Sequence, residues 1–250
     1  MLPQSLFFSA ASKKAISSFF VILVLGFYSQ NIFAQQTAAG VSTRTKELFQ
    51  AIRSGSTSEL QQQLAKGASA NDSLNGYSAL MAATLTGSVE QMKLLIDHGA
   101  DVNYMAKDST TALWIAIPDW DKTNLLLDHG ADLQHRIGGY TVLVKLASLP
   151  GSIKLFRLMM DKGVDVKKSA PDNMLLYTAA MAGDTAILGL LIRQGLSVND
   201  TVFFGDHPIT GALWFRTFPT LKMLVDNGAD PNIVILGSTL NTYVGSTPLM

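Results

Sequence analysis

A five-residue phrase that returns six times decides the fold: Gly67-Ala68-Ser69-Ala70-Asn71, Gly99-Ala100-Asp101-Val102-Asn103, Gly130-Ala131-Asp132-Leu133-Gln134, Gly163-Val164-Asp165-Val166-Lys167, Gly195-Leu196-Ser197-Val198-Asn199 and Gly228-Ala229-Asp230-Pro231-Asn232. The intervals between its glycines are 32, 31, 33, 32 and 33 residues, too regular for chance. A fixed period of this length marks stacked structural repeats. An apolar helical pattern runs into the phrase, as Val89, Met92 and Leu94-Leu95-Ile96 run into Gly99. Glycine suits such a helix end because, lacking a Cβ, it adopts the left-handed conformation without a clash.

A second mark precedes the phrase. It reads Ser78-Ala79-Leu80-Met81, Thr111-Ala112-Leu113-Trp114, Thr141-Val142-Leu143-Val144 and His207-Pro208-Ile209-Thr210, and it returns at Thr247-Pro248-Leu249-Met250. A hydroxyl, then Pro or Ala, then Leu predicts a helix start: the hydroxyl accepts from unpaired N–H groups and Pro fits the first turn. Small residues follow where two helices must cross closely, at Ala83, Ala116, Ala147, Ala179-Ala180 and Ala212, and Gly87 and Gly183 break the chain between helices. Together these marks resemble ankyrin repeats, across residues 44–250. Met174 and His207 stand where the family starts with Thr, Arg216 replaces the mid-repeat Gly, and the third repeat is shortened through Ile117-Pro118-Asp119-Trp120-Asp121.

The resemblance implies an all-α solenoid of helix–turn–helix units with short β-hairpin fingers, in which neighbours stack because no unit has a sufficient core alone. The segment from Arg44 to Lys66 lacks the second mark and carries Gln50, Arg53, Gln61, Gln62, Gln63 and Lys66, as an N-terminal capping repeat should. Ser56-Thr57-Ser58-Glu59 predicts a capping box for its second helix. About six repeats and the start of a seventh are expected, so the sequence reads as a piece of a longer protein.

The 250 residues carry 19 basic and 19 acidic side chains and no cysteine. No basic excess exists to neutralise phosphates, which argues against a nucleic-acid partner. Without thiols the chain has no disulfide, thiolate zinc site, iron–sulfur cluster or cysteine nucleophile. Lys13-Lys14, the uncharged apolar run Ala15–Tyr28 and Ala34 have the order of a secretory signal peptide. Fourteen helical residues rise only about 21 Å, short of a hydrocarbon core of about 30 Å, so cleavage after Ala34 is favoured over an uncleaved anchor. Residues 1–34 then form the signal, 35–43 a linker and 44–250 the repeat domain. The mature chain holds 17 basic and 19 acidic residues, a net charge of −2. The periplasm or cell envelope is the expected location, with secretion as the alternative. Membrane contact is expected only through an uncleaved signal.

The chemistry-bearing residues read as structural. His98 and His129 sit before capping glycines, where a helix C-terminus attracts a donor. His135 reads as a solvated finger residue and His207 as a cap. Asp119 and Asp121 occupy the shortened turn, and the aspartates at 101, 132, 165 and 230 recur because the repeat recurs. No phosphate loop, metalloprotease motif, nucleophile elbow or calcium loop occurs. No enzyme, metal or cofactor is expected within these residues.

Binding remains. The ankyrin resemblance implies a concave face lined by finger tips and exposed positions of each first helix. It places Leu74, Tyr77 and Leu85 there, then Lys107, Asp108 and Ile115, then Ile137, Tyr140 and Lys145, and finally Phe203, Phe204, Trp214 and Phe215. The residues favoured for contacting a partner are Leu74, Tyr77, Ile137, Tyr140, Phe203, Phe204, Trp214 and Phe215, aromatics being the types that dominate binding hot spots. The apolar run Ile233-Val234-Ile235-Leu236 lies in a widened interval and suits a partner or a contact outside the chain. A monomeric scaffold binding a protein partner is the reading. Its alternative is the docking or regulatory module of a larger secreted enzyme, such as a redox protein with a c-type cytochrome domain beyond residue 250.

Overall fold

The computed structural model describes residues 41–169, 174–202 and 205–232. The expected signal segment, Phe203-Phe204, the Ile233–Leu236 run and the mark at Thr247 lie outside them. The fold separates into two compact units that meet in sequence at Gly139 and Tyr140.

In the first unit, α1 (Thr43–Ser54) and α2 (Thr57–Ala65) precede a two-stranded hairpin, β1 (Ser73–Leu74) with β2 (Tyr77–Ser78). The pairs α3 (Ala79–Thr86) with α4 (Val89–Asp97) and α5 (Ala112–Ala116) with α6 (Trp120–Asp128) follow. First helices pack on first helices, α1 on α3 on α5, and second helices on second helices, α2 on α4 on α6, giving an inner and an outer layer. Leu48, Phe49, Ile52, Leu80, Met81, Met92, Leu95 and Leu126 fill the space between the layers with almost no exposed surface. The second unit repeats the scheme with α7 (Val142–Ala147), α8 (Ile153–Asp161), the short α9 (Val166–Ser169), α10 (Met174–Ala182), α11 (Thr185–Arg193), α12 (Pro208–Trp214) and α13 (Phe218–Asp226). There α7, α10 and α12 stack as one layer and α8, α11 and α13 as the other. Phe156, Leu143, Leu175, Leu176, Leu188 and Leu191 are among its fully buried members.

Local signals explain where the helices begin and end. The six phrase glycines have φ of +89°, +82°, +80°, +91°, +79° and +88°, the left-handed helix end expected of them. Gly87 is constrained differently. Its φ is ordinary, but a Cβ there would meet Gln91 Oε1 and lie 2.9 Å from the Ala83 carbonyl oxygen. At the helix starts, Ser78 Oγ accepts from Met81 N at 3.2 Å and Thr111 Oγ1 from Trp114 N at 3.3 Å. Thr141 departs from the pattern: it is buried, and its hydroxyl makes no cap bond. The expected capping box at Ser56 is only half formed, because Glu59 turns its carboxylate to the Ser54 hydroxyl at 2.9 Å. The reciprocal box forms one repeat later, between Ser88 and Gln91.

Within each unit, two kinds of hydrogen bond recur between neighbouring repeats. The first closes the carbonyl end of an inner helix with a side chain from the following outer helix. Gln91 Nε2 donates to Ala51 O at 3.2 Å, Lys122 Nζ to Thr84 O at 2.8 Å, and the Thr217 and Thr220 hydroxyls to Ala180 O at 2.7 and 2.9 Å. The second uses the asparagine that ends the phrase. Asn103 donates to Gly130 O at 3.0 Å and accepts from Asp132 N at 2.8 Å; Asn71 and Asn199 do the same for Gly99 with Asp101 and for Gly228 with Asp230. Gln134 and Lys167 occupy this place in the other two phrases. Asn103→Ala breaks two inter-repeat bonds at an exposed site and is expected to cost about 1–2 kcal/mol. Urea denaturation measures it, and a loss no larger than that of Gln134→Ala would refute a special role for the asparagine.

Candidate protein-interaction face

The fingers and inner helices carry the side chains that stacking does not consume. In the first unit the finger turn is Leu74-Asn75-Gly76-Tyr77, with Asn75 at φ +54° and Gly76 at +85°, the two left-handed residues that a tight hairpin of this hand requires. Leu74 and Tyr77 are half-buried. The Tyr77 hydroxyl donates to Asp108 Oδ2 at 2.7 Å and Tyr104 OH to Gly76 O at 3.3 Å, so the finger is fastened to the next one. Burial first, and then the Asp108 bond and charge, push the Tyr77 phenol up to about 12. Leu85 and Ile115 are half-buried, whereas Lys107 and Asp108 are exposed. The finger of the third repeat also holds Met105, 56 % exposed, which has no counterpart in the repeat pattern and which the sequence reading missed.

Ile137 corrects the expectation placed on it. It is 7 % exposed and serves the core, although it directly precedes the turn glycines Gly138 and Gly139 as Leu74 precedes its own turn. His135 is corrected likewise: its Nε2 lies 2.7 Å from Ser109 O, so the ring ties two fingers and is not a solvated residue.

In the second unit Tyr140 is half-buried, and burial raises its phenol above the ordinary value. Burial also pulls the Lys145 ammonium, on α7, down to about 8. Trp214 is half-buried at the last position of α12, and Phe215 is 55 % exposed just after it. Both therefore stand at the end of the inner helix away from the finger, beside Phe218, which is 67 % exposed. Trp120, 45 % exposed, occupies the same register in the first unit, ten residues ahead of its closing glycine as Phe218 is of Gly228. That shared register was legible; the exposure was not. The expected sites Phe203 and Phe204 lie outside the described residues.

Most of the titratable groups set aside on sequence grounds are engaged in backbone support. His98 Nδ1 lies 2.8 Å from Leu94 O and His129 Nδ1 2.8 Å from Leu125 O, each at its helix C-terminus. The His207 ring lies 3.0 Å from Asn199 O. Asp119 caps α6 by accepting from Lys122 N at 3.0 Å. Asp101, Asp132, Asp165 and Asp230 each accept from the backbone N–H two residues on, at 2.8–2.9 Å, which shapes the turn after each glycine. Among the described residues no cluster of three or more His, Asp or Glu is placed to hold a metal.

Three comparisons agree with this architecture. A family model described as ankyrin repeats (3 copies) matches residues 48–137. The human Notch-regulated ankyrin repeat-containing protein is 35 % identical over 79 residues, which span 29 % of this chain and 69 % of the relative. Its Xenopus tropicalis counterpart is 36 % identical over 78 residues, spanning 29 % and 68 %. The solved ankyrin repeat domain of human ASB11 superposes with a TM-score of 0.67 at 23 % identity, covering 81 % of this chain and 89 % of that one. With its period, its capping glycines and its asparagine bridges, the chain belongs to the ankyrin-repeat proteins.

Proposed function

We propose that this chain is an exported, non-catalytic scaffold that binds a protein partner through its fingers and inner helices. Ankyrin arrays are interaction scaffolds, and their extended faces suit protein partners. The observation that carries the reading is the distribution of unspent side chains. Leu74, Tyr140 and Trp214 are half-buried and Met105 is exposed, while histidines and aspartates are committed to backbone support. Export rests on Lys13-Lys14, the apolar run from Ala15 to Tyr28 and the small Ala34. N-terminal sequencing of the protein recovered from the envelope should begin at Gln35.

A photo-crosslinking side chain at Leu74 or Tyr140 should capture a defined partner in cells, whereas one at Lys93 or Lys154 on the outer helices should not. Purified with that partner, the Tyr140→Ala/Trp214→Ala variant should bind at least tenfold more weakly, the scale of a hot-spot truncation. Equal crosslinking from both layers, or unchanged affinity in a variant that remains folded by circular dichroism, would remove the inner face from the function.

A further inference from the structure

Asp206 lies two residues before α12 and is 5 % exposed, yet among the described residues its Oδ1 has no hydrogen-bond partner. Its backbone carbonyl is satisfied, accepting from Val202 N at 2.7 Å. Among the described residues its side chain forms no ion pair, and the N-cap position of α12 belongs to His207, the residue after it. A carboxylate held in this way is costly when charged and tolerable when protonated.

The described neighbours supply no positive charge. Helix α12, Pro208–Trp214, carries no acidic or basic side chain. From α10, which packs closely on α12, the group that faces Asp206 is Tyr177, whose phenol is raised by burial and then by the Asp206 charge. His207 is the adjacent imidazole, and its Nδ1 lies against Asn199 O. No lysine or arginine among the described residues forms a salt bridge with Asp206.

We infer that Asp206 is a built-in acid-responsive switch for the sixth repeat, whose protonation tightens the seating of α12 on α10 and whose ionisation loosens it. Burial raises the carboxyl from its ordinary value of 3.8 to about 6. The folded state therefore holds a proton that the open state releases between about pH 4 and pH 6. Stability from this group is greatest at acid pH and falls as pH rises through that window. From those two values the local opening constant should rise about tenfold between pH 5 and pH 7.5. Lys145, down at about 8, titrates above the window and leaves it clear.

Amide hydrogen exchange of the full chain at pH 5, 6 and 7.5, expressed as protection factors, reads this directly. Residues 207–214 should lose about tenfold in protection across the range in the native protein. They should show no such slope in Asp206→Asn, which keeps the shape and removes the charge. His207→Gln should retain the slope, which separates the carboxylate from its neighbouring imidazole. Residues 79–97 of the first unit provide the internal reference and should show no change in any variant. A slope that persists in Asp206→Asn, one that vanishes in His207→Gln, or a native protein whose protection is flat with pH would overturn the switch.

Discussion

Phe156→Ala is expected to cost about 3–5 kcal/mol and to unfold the second unit at urea concentrations the native protein withstands. Phe156 lies on α8 with no exposed surface, between Leu155 and Met159, which are also buried. Truncation removes a ring from the layer between inner and outer helices and leaves a cavity that rigid helix pairs close only in part. In a repeat array the loss concentrates at one unit and its immediate neighbours, because each repeat contacts only those. Phe215→Ala supplies the comparison within the same unit. That side chain is 55 % exposed, and its truncation should change stability by no more than about 0.5 kcal/mol. Urea denaturation followed by circular dichroism measures both. Equal losses would mean that the inter-layer core has been assigned to the wrong phenylalanine.

What the sequence disclosed and what it concealed divide along a physical line. The capping glycines and the Ser78 and Thr111 caps were legible because each is a local matter: a φ angle, or a hydroxyl three residues from its N–H. The repeat multiplied those local signals until they fixed the architecture. Roles that depend on a partner one repeat away were not legible in the same manner. Asn103 looks like a phrase ending until Gly130 and Asp132 are seen to close on both ends of its amide. His135 looked solvated for the same reason, since Ser109 lies in another finger. Ile137 and Phe215 show the limit for the candidate face. Register placed both on it, but burial took Ile137 into the core, and the end of α12 carried Phe215 to the far turn. Thr141 matches the sequence signal for a cap, yet Val144 N donates to its backbone carbonyl at 3.1 Å and its buried hydroxyl makes no cap bond.

Gly211→Leu is expected to destabilise the second unit by about 3 kcal/mol, the upper end of what overpacking costs. Gly211 is the fifth residue of its repeat's opening mark, where the other repeats have Ala82, Ile115, Lys145 and Thr178. A glycine inside a helix forgoes about 1 kcal/mol relative to alanine, so its presence needs a reason. The reason is Tyr177. A Cβ at 211 would lie 2.9 Å from Met181 Cγ and 3.0 Å from Tyr177 Cε2, distances that real Cβ atoms rarely show. Neither neighbour is a free chain end: Met181 Cγ is close to its backbone, and the Tyr177 ring lies against α12 at Gly211. The bulk of Tyr177 in one repeat thus requires the glycine in the next, and the close approach of α10 to α12 depends on the pair. Gly211→Ala should already destabilise, its helix-propensity gain being smaller than the cost of moving the ring. Combining it with Tyr177→Ala should restore part of the loss, giving a favourable coupling of about 1 kcal/mol or more in a double-mutant cycle. Strictly additive losses, or a Gly211→Ala variant more stable than the native protein, would show that the two helices are held apart by something other than this contact.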